Sequence, residues 1–423
     1  MADQHATTTD AAPRAGALAA GRRGAAPALP APRPLRVLLL NERCHRNPLA
    51  GGAETHLFEI FGRLAARGVR TELLCCGFPG AAARDEHRGV AISRVGTRLS
   101  FYARVTSEAR RRLAAGEVDL IVEAHNKVPF LSPLWSGGTP VLVIHHHLHG
   151  WTAFRQVAPP IAAASVALEA LIPRVYRRVP MLTISASSKS DLVRRGVPEA
   201  HIDVVPCGLQ PQQPGDLLER EPLVVSLGRL EPYKRIDLLL RAFPVVLEAI
   251  PAARLVVIGR GQQEARLRKL ARRLQIAESV HFTGFASEEK KLAWLKRAAL
   301  LVQCSTREGF GLTVVEAYSC GTPVVATDVP GLRDTVQDGV TGLLVRQARP
   351  GALAAAITKL LADEELRRRM SRRALAWSAN FDWEESASAV LRAIRRAVGG
   401  SSSRSVVRVT SLPAVAAGPG GSP

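Results

Sequence analysis

Short aliphatic runs alternate along this chain with segments of helical periodicity, and that alternation restricts the fold more than any other feature. In the first half, strands are expected over residues 35–41, 71–77, 119–124, 141–145, 181–185 and 203–206, with a helix over residues 53–66. The second half repeats the rhythm, with strands over residues 223–228, 254–259, 280–283, 300–304 and 323–327. Strands separated by helices imply parallel sheets covered on both faces, because a parallel crossover needs a long connection. The strands are too many for one sheet of ordinary width. Residues 206–222, with four prolines, form the expected joint. The fold class is therefore α/β, with two doubly wound domains, residues 35–205 and 206–382, facing a central cleft. Ligands of such sheets lie beyond the carboxyl ends of the strands, so the loops there are where chemistry is expected.

The chain has 423 residues, of which 47% are hydrophobic and 22% charged. That profile suits a globular protein with a sizeable core and excludes collagen-like, coiled-coil and wholly disordered classes. The apolar stretch at residues 161–168 stops at Glu169, and nothing longer reads as a transmembrane helix. Residues 1–34 hold 12 Ala, 5 Pro and 3 Gly, and residues 399–423 are rich in Ser, Gly and Pro; both are expected as disordered tails. Arg22-Arg23 is followed by prolines rather than an apolar segment, so no export signal is expected. Six cysteines without CxxC spacing read as small core residues of a reducing, cytoplasmic protein.

Formal net charge is +20, and residues 35–205 and 206–399 contribute +8 each. There is no polybasic block and no basic stripe studded with aromatics, so nucleic acid is not an expected partner. An anionic membrane surface is a candidate partner. Arg110-Arg111-Arg112 lie on one expected helix, and Arg174, Arg177 and Arg178 end another that is apolar over residues 162–171. A solvated helix end is the competing reading.

The most informative motif is Glu308-Gly309-Phe310-Gly311-Leu312-Thr313-Val314-Val315-Glu316, which leaves a strand and enters a helix. Gly309 and Gly311 let the backbone approach a ligand, with unpaired helix N–H groups behind them. Carboxylates at both ends suit a polyol, since they accept hydrogen bonds from sugar hydroxyls. Earlier, Gly228-Arg229-Leu230-Glu231-Pro232-Tyr233-Lys234 leaves another strand, and its turn at Pro232 can aim Arg229 and Lys234 into one loop. Fixed cations there suit a diphosphate leaving group. Gly51-Gly52-Ala53-Glu54 opens the first helix and could admit an oxyanion or a sugar; a plain flexible loop is the alternative. Gly259-Arg260-Gly261 has Glu264 where a dinucleotide fingerprint needs its third glycine. His145-His146-His147 cannot all turn to one ion from an extended segment, and no carboxylate pair stands nearby, so no metal is expected. Asn126, in Glu123-Ala124-His125-Asn126-Lys127, is a candidate acceptor contact.

Together these motifs resemble the retaining glycosyltransferases of family 4. The resemblance extends to Phe282-Thr283-Gly284-Phe285, Gly321-Thr322-Pro323-Val324-Val325-Ala326 and Ile184-Ser185-Ala186-Ser187-Ser188, and it spans residues 35–399. Cys207 departs from it, standing where the family usually has Asn before Gly208. The resemblance implies a GT-B architecture of two Rossmann-like domains, with a last helix over residues 383–398 crossing back to the first. It implies that Glu316 binds ribose hydroxyls, that Glu308 binds the transferred sugar, and that residues 282–285 frame the base. It also implies a histidine near the anomeric carbon, with His146 fitting best and His145 next. The expected activity is metal-independent hexosyl transfer from a UDP- or GDP-sugar, with no cofactor. The acceptor would be a carbohydrate, a lipid-linked compound or a small molecule. Envelope polysaccharide or glycolipid assembly, peripheral on the inner membrane face, is the expected setting; decoration of a small natural product is the alternative.

Overall fold

The computed structural model describes residues 33–98, 100–126, 128–148, 150, 154, 158–210, 212–214 and 220–399. Residues 1–32 and 400–423 of the expected tails, together with Lys127, lie outside the described residues.

The first half forms strands β1 (Arg36–Leu40), β2 (Arg70–Cys75), β3 (Arg84–His87), β4 (Val90–Arg94), β5 (Leu120–His125), β6 (Val141–His145), β7 (Met181–Thr183) and β8 (Ile202–Val204). They make one eight-stranded sheet in the order β3-β4-β2-β1-β5-β6-β7-β8. The second half forms β9 (Glu221–Leu227), β10 (Arg254–Ile258), β11 (Val280–Gly284), β12 (Ala298–Gln303), β13 (Val324–Thr327) and β14 (Gly342–Val345). These make a six-stranded sheet in the order β11-β10-β9-β12-β13-β14. Central strands such as Leu-Ile-Val-Glu-Ala-His in β5 are buried along their whole length, as a parallel sheet covered on both faces requires.

Two features correct the expected layout. β3 and β4 form an edge hairpin, and β3 runs antiparallel to β4 in an otherwise parallel sheet. The sequence of β3, Arg-Asp-Glu-His, offers no apolar alternation to detect, which suits an exposed edge. β14 lies beyond the last strand expected from the sequence. It pairs in parallel with β13 at the other sheet's edge.

Two stretches of chain pass between the sheets and touch. Leu209 N–H donates to the Phe381 carbonyl at 3.3 Å, and a Cβ at Gly208 would stand 2.2 Å from the Trp383 nitrogen. Only glycine fits that crossing. The helix Trp383–Val398 then packs on the helix Gly52–Ala66 of the first half. Arg63 and Glu384 pair at 2.8 Å, Arg396 and Asp203 pair at 2.8 Å, and Ser386 Oγ donates to the Pro206 carbonyl. One apolar core runs through this region, joining Leu57 and Phe61 to Phe310, Trp377, Phe381 and Trp383.

Candidate active site

In each sheet the chain reverses its winding at the first strand. β1 pairs with β2 on one side and β5 on the other, and β9 pairs with β10 and β12. Loops leaving such a switch point diverge and leave a crevice between them. The loops after β1, β9 and β12 carry Gly51-Gly52, Gly228–Lys234 and Glu308–Gly311, so the topology brings most of the expected residues together.

The loops after β9 and β12 are tied to each other. Thr306 N–H donates to the Tyr233 carbonyl at 2.8 Å. The Lys234 ammonium meets Glu308 Oε1, which also accepts from Ser305 Oγ at 2.6 Å. Burial opposes the charge on Lys234, but the Glu308 carboxylate outweighs it and holds the lysine above its ordinary pKa. Arg229 donates to the Tyr233 hydroxyl at 3.0 Å. Gly228, at φ +145°, leaves its face open to Lys234, where a Cβ would stand 3.7 Å from Nζ. Gly259 is packed for structure: its missing Cβ makes room for the Gly228 carbonyl, 1.9 Å from where that atom would be. Arg260 lies beside Gly284.

Gly311, at φ +90°, starts the helix Leu312–Ser319, so the backbone itself favours glycine there. Leu312 is half-buried at the helix start, while the Phe310 ring is turned into the core against Phe381, 5.7 Å away. Any donor contact by Phe310 is therefore through its backbone. Phe282 is likewise a core ring, covered by the Arg268 guanidinium at 4.7 Å, whereas Phe285 is 75% exposed. Further along the helix, Glu316 accepts from Lys291 Nζ at 2.8 Å.

The first half meets these loops at close range. A Cβ at Gly51 would lie 3.8 Å from Arg229 Nε, and one at Gly309 would lie 2.9 Å from the His146 carbonyl oxygen. Ser187 N–H donates to Asp334 Oδ2 at 3.1 Å. Gly51 is held from below: its N–H donates to Glu54 Oε2 at 2.7 Å, and Glu54 Oε1 accepts from Asn126 at 3.1 Å and Asn41 at 3.3 Å. Asn126 thus supports the glycine loop as well as lining the small pocket between Asn41, Arg43 and Tyr102. Gly52 is open, with no atom within 4 Å of a Cβ placed there.

The histidines sit differently from the expected arrangement. The His146 ring is buried and bonded to His56 at 3.2 Å, and only its carbonyl faces Gly309. His145 is also buried, with its ring edge toward His125 at 6.0 Å. Burial, reinforced by neighbouring histidines, pushes both far below the ordinary imidazole pKa, so both are neutral. Glu123 accepts from Ser132 N–H, Phe130 N–H, the Tyr176 hydroxyl and His125, which marks it as a structural carboxylate. Among the described residues, no three His, Cys, Asp or Glu side chains gather to hold a metal ion. All six cysteines are buried and unpaired by disulfides. Sequence reasoning missed Ser305, which bonds Glu308 only three residues away, and Lys291 and Asp334, whose contacts are distant in sequence.

Two largely parallel sheets with paired strand-end loops over a shared crevice make a fold of the GT-B type. Residues 211–377 match the family described as glycosyl transferases group 1, and residues 50–213 match glycosyltransferase family 4. The chain belongs to glycosyltransferase family 4 and is an enzyme of that class. It is 30% identical over 417 residues to the D-inositol 3-phosphate glycosyltransferase of Nocardia farcinica, covering 86% of this chain and 90% of that one. It is 29% identical over 368 residues to the phosphatidyl-myo-inositol mannosyltransferase of Mycobacterium leprae, covering 81% and 92%. The Anabaena protein Alr3699/HepE, solved with UDP and glucose, has the same fold at a TM-score of 0.69 and 19% identity, covering 85% and 99%.

Proposed function

We propose that the chain moves a hexosyl group from a UDP- or GDP-sugar to a hydroxyl acceptor, with retention of configuration and without a metal ion. The observation that carries this is the Lys234–Glu308 pair, set between two strand-end loops with Arg229 facing Gly51. Lys234, Arg229 and the N–H groups at the start of the helix Leu312–Ser319 stabilise the diphosphate as it leaves. Glu308 turns Oε1 to Lys234 and Ser305, leaving Oε2 to accept from a donor sugar hydroxyl. The acceptor hydroxyl attacks from the face the diphosphate vacates and gives its proton to the departing phosphate oxygen. Glu308 is occupied with hydroxyls and takes no nucleophilic role.

Relatives named for inositol 3-phosphate and phosphatidyl-myo-inositol support a polyhydroxylated, anionic acceptor; envelope assembly on the cytoplasmic side is the setting this reading proposes. A membrane-surface setting is favoured by one observation. The helix Pro159–Ala170 exposes Ile161 at 57%, Leu171 beyond it is 37% exposed, and the exposed Arg174, Arg177 and Arg178 follow. Apolar surface flanked by arginines fits anionic lipid. Arg111 and Arg112 do not add to it, being paired with Glu108 and Glu72. No described helix is long and apolar enough to cross a membrane.

A thermal-shift screen of UDP- and GDP-sugars, run with and without EDTA, tests the donor claim. A ligand bound only by the native state raises the melting temperature. One nucleotide series should stabilise the protein equally in both buffers. Stabilisation that needs magnesium or manganese would overturn metal independence.

A further inference from the structure

Glu316 stands in unusual company for a carboxylate. Its neighbours Val314, Val315, Ala317 and Tyr318 are fully buried, and it is itself half-buried. Its charge partner comes from another element. The helix Glu288–Arg297 follows β11 and projects Lys291, whose side chain is only 12% exposed. Lys291 Nζ lies 2.8 Å from Glu316 Oε1 and 2.7 Å from Glu288 Oε1, so two carboxylates share one ammonium. Glu288 is 71% exposed and can be served by water; Glu316 depends on the lysine.

We infer that Lys291 is a positioning residue for nucleotide recognition: by tying down Oε1 of Glu316 it presents Oε2, as a charged acceptor, to the ribose hydroxyls of a ribonucleoside diphosphate. This rests on the reading of Glu316 as the ribose-binding carboxylate. A carboxylate that accepts from a diol must be both ionised and fixed in rotation, and a single short contact at one oxygen accomplishes both. Lys291 also leaves from the helix that follows the Phe282–Phe285 loop, so the loop expected to frame the base and the carboxylate expected to hold the ribose share one rigid support.

The electrostatics agree with the geometry. Burial pushes the Glu316 carboxyl above its ordinary pKa, Lys291 opposes that shift, and Glu288 adds to it. Cys320, which caps the same helix, and Tyr318 within it are also titratable, and burial raises both so that both stay uncharged. The helix Glu364–Ser378, packed on the same short helix, contributes the uncharged Ala374 and Trp377 to this core. Lys291 is thus the cation that acts on Glu316.

The test compares binding of a ribonucleoside diphosphate with its 2′,3′-dideoxy counterpart by calorimetry, using UDP or GDP, whichever the wild type binds. In wild type the ribose form should bind the more tightly. Lys291→Met should erase most of that preference, weakening the ribose form about tenfold, the worth of one charge-assisted hydrogen bond, with little change for the dideoxy form. The variant's ribonucleotide affinity should also fall more steeply than that of wild type as pH is lowered, because Glu316 then takes up a proton more readily. Lys291→Arg should restore the preference. Equal losses for both nucleotides would place Lys291 on the phosphates, and a lowered melting temperature with the preference intact would make it structural; either result overturns the inference. Glu316→Gln separates the two levels. If it leaves the ribose preference unchanged, the reading of Glu316 itself fails.

Discussion

Gly309 lies against the carbonyl oxygen of His146, with room for a hydrogen but not for a methyl group. A Cβ there would sit 2.9 Å from that oxygen and 3.2 Å from Ile184 Cδ1. These residues belong to opposite sides of the crevice, so a glycine in the loop after β12 sets how closely that loop meets the first half. Gly309→Ala should hold the loop a few tenths of an ångström away and lower transfer by tenfold or more, because small misplacements of reacting groups are costly. Gly52→Ala is the contrast. Nothing occupies the space near its Cβ, so stability should be unchanged, and any loss of activity would report substrate entering there. Paired melting and rate measurements on the two variants check both outcomes.

Lys234→Ala should abolish most transfer while leaving the fold intact, since on the proposed reading it removes the cation that faces the leaving diphosphate. The expected cost is about 2–4 kcal/mol in the transition state, tens- to hundreds-fold in rate. Circular dichroism should match wild type. Wild-type turnover in this variant would refute the placement of the diphosphate.

Acid should destabilise the protein through its buried histidines. His56 is held at about 4 by burial, below its ordinary 6.5, so the unfolded chain binds the extra proton first as pH falls. His56 therefore costs nothing above pH 6.5 and costs progressively more between there and about 4. Burial raises Glu54 and Glu316 and works the opposite way, so the variant isolates the effect. His56→Gln should lose less melting temperature than wild type between pH 7.5 and pH 5. Parallel curves would show that His56 does not contribute.

Membrane binding should be electrostatic in part. Protein should sediment with anionic vesicles but not neutral ones, and salt should release it, at roughly 1 kcal/mol per basic residue near the surface. Arg174→Ala combined with Arg177→Ala should weaken binding without altering the melting curve. Equal binding to both vesicle types would remove the lipid-surface claim.

Much of this architecture was legible because parallel strands are continuous apolar runs and the switch-point loops carry glycines and charges in distinctive order. What stayed hidden was contact between distant residues. Lys234 and Glu308 could be assigned to one site by motif, but the ammonium bonding Oε1 beside Ser305 is a product of how β9 and β12 pair. Lys291, within Ser-Glu-Glu-Lys-Lys, has the look of a solvated helix start, and nothing local distinguishes it from Lys290. The histidine run held another contact out of reach. The family resemblance implies a histidine at the cleft, and no local pattern could show that the helix Gly52–Ala66 supplies His56 as a partner for the His146 ring while the His146 carbonyl meets Gly309. The β3 strand escaped detection for want of any apolar residue.

Titration of UDP and GDP into the wild-type chain and into Lys234→Ala, in buffer containing EDTA, tests the proposed donor site most directly. One of the two nucleotides should bind the wild type without a divalent ion, and the variant should bind it at least about tenfold more weakly. Failure of both nucleotides to bind, or equal affinity in the two proteins, would contradict a donor site built around Lys234.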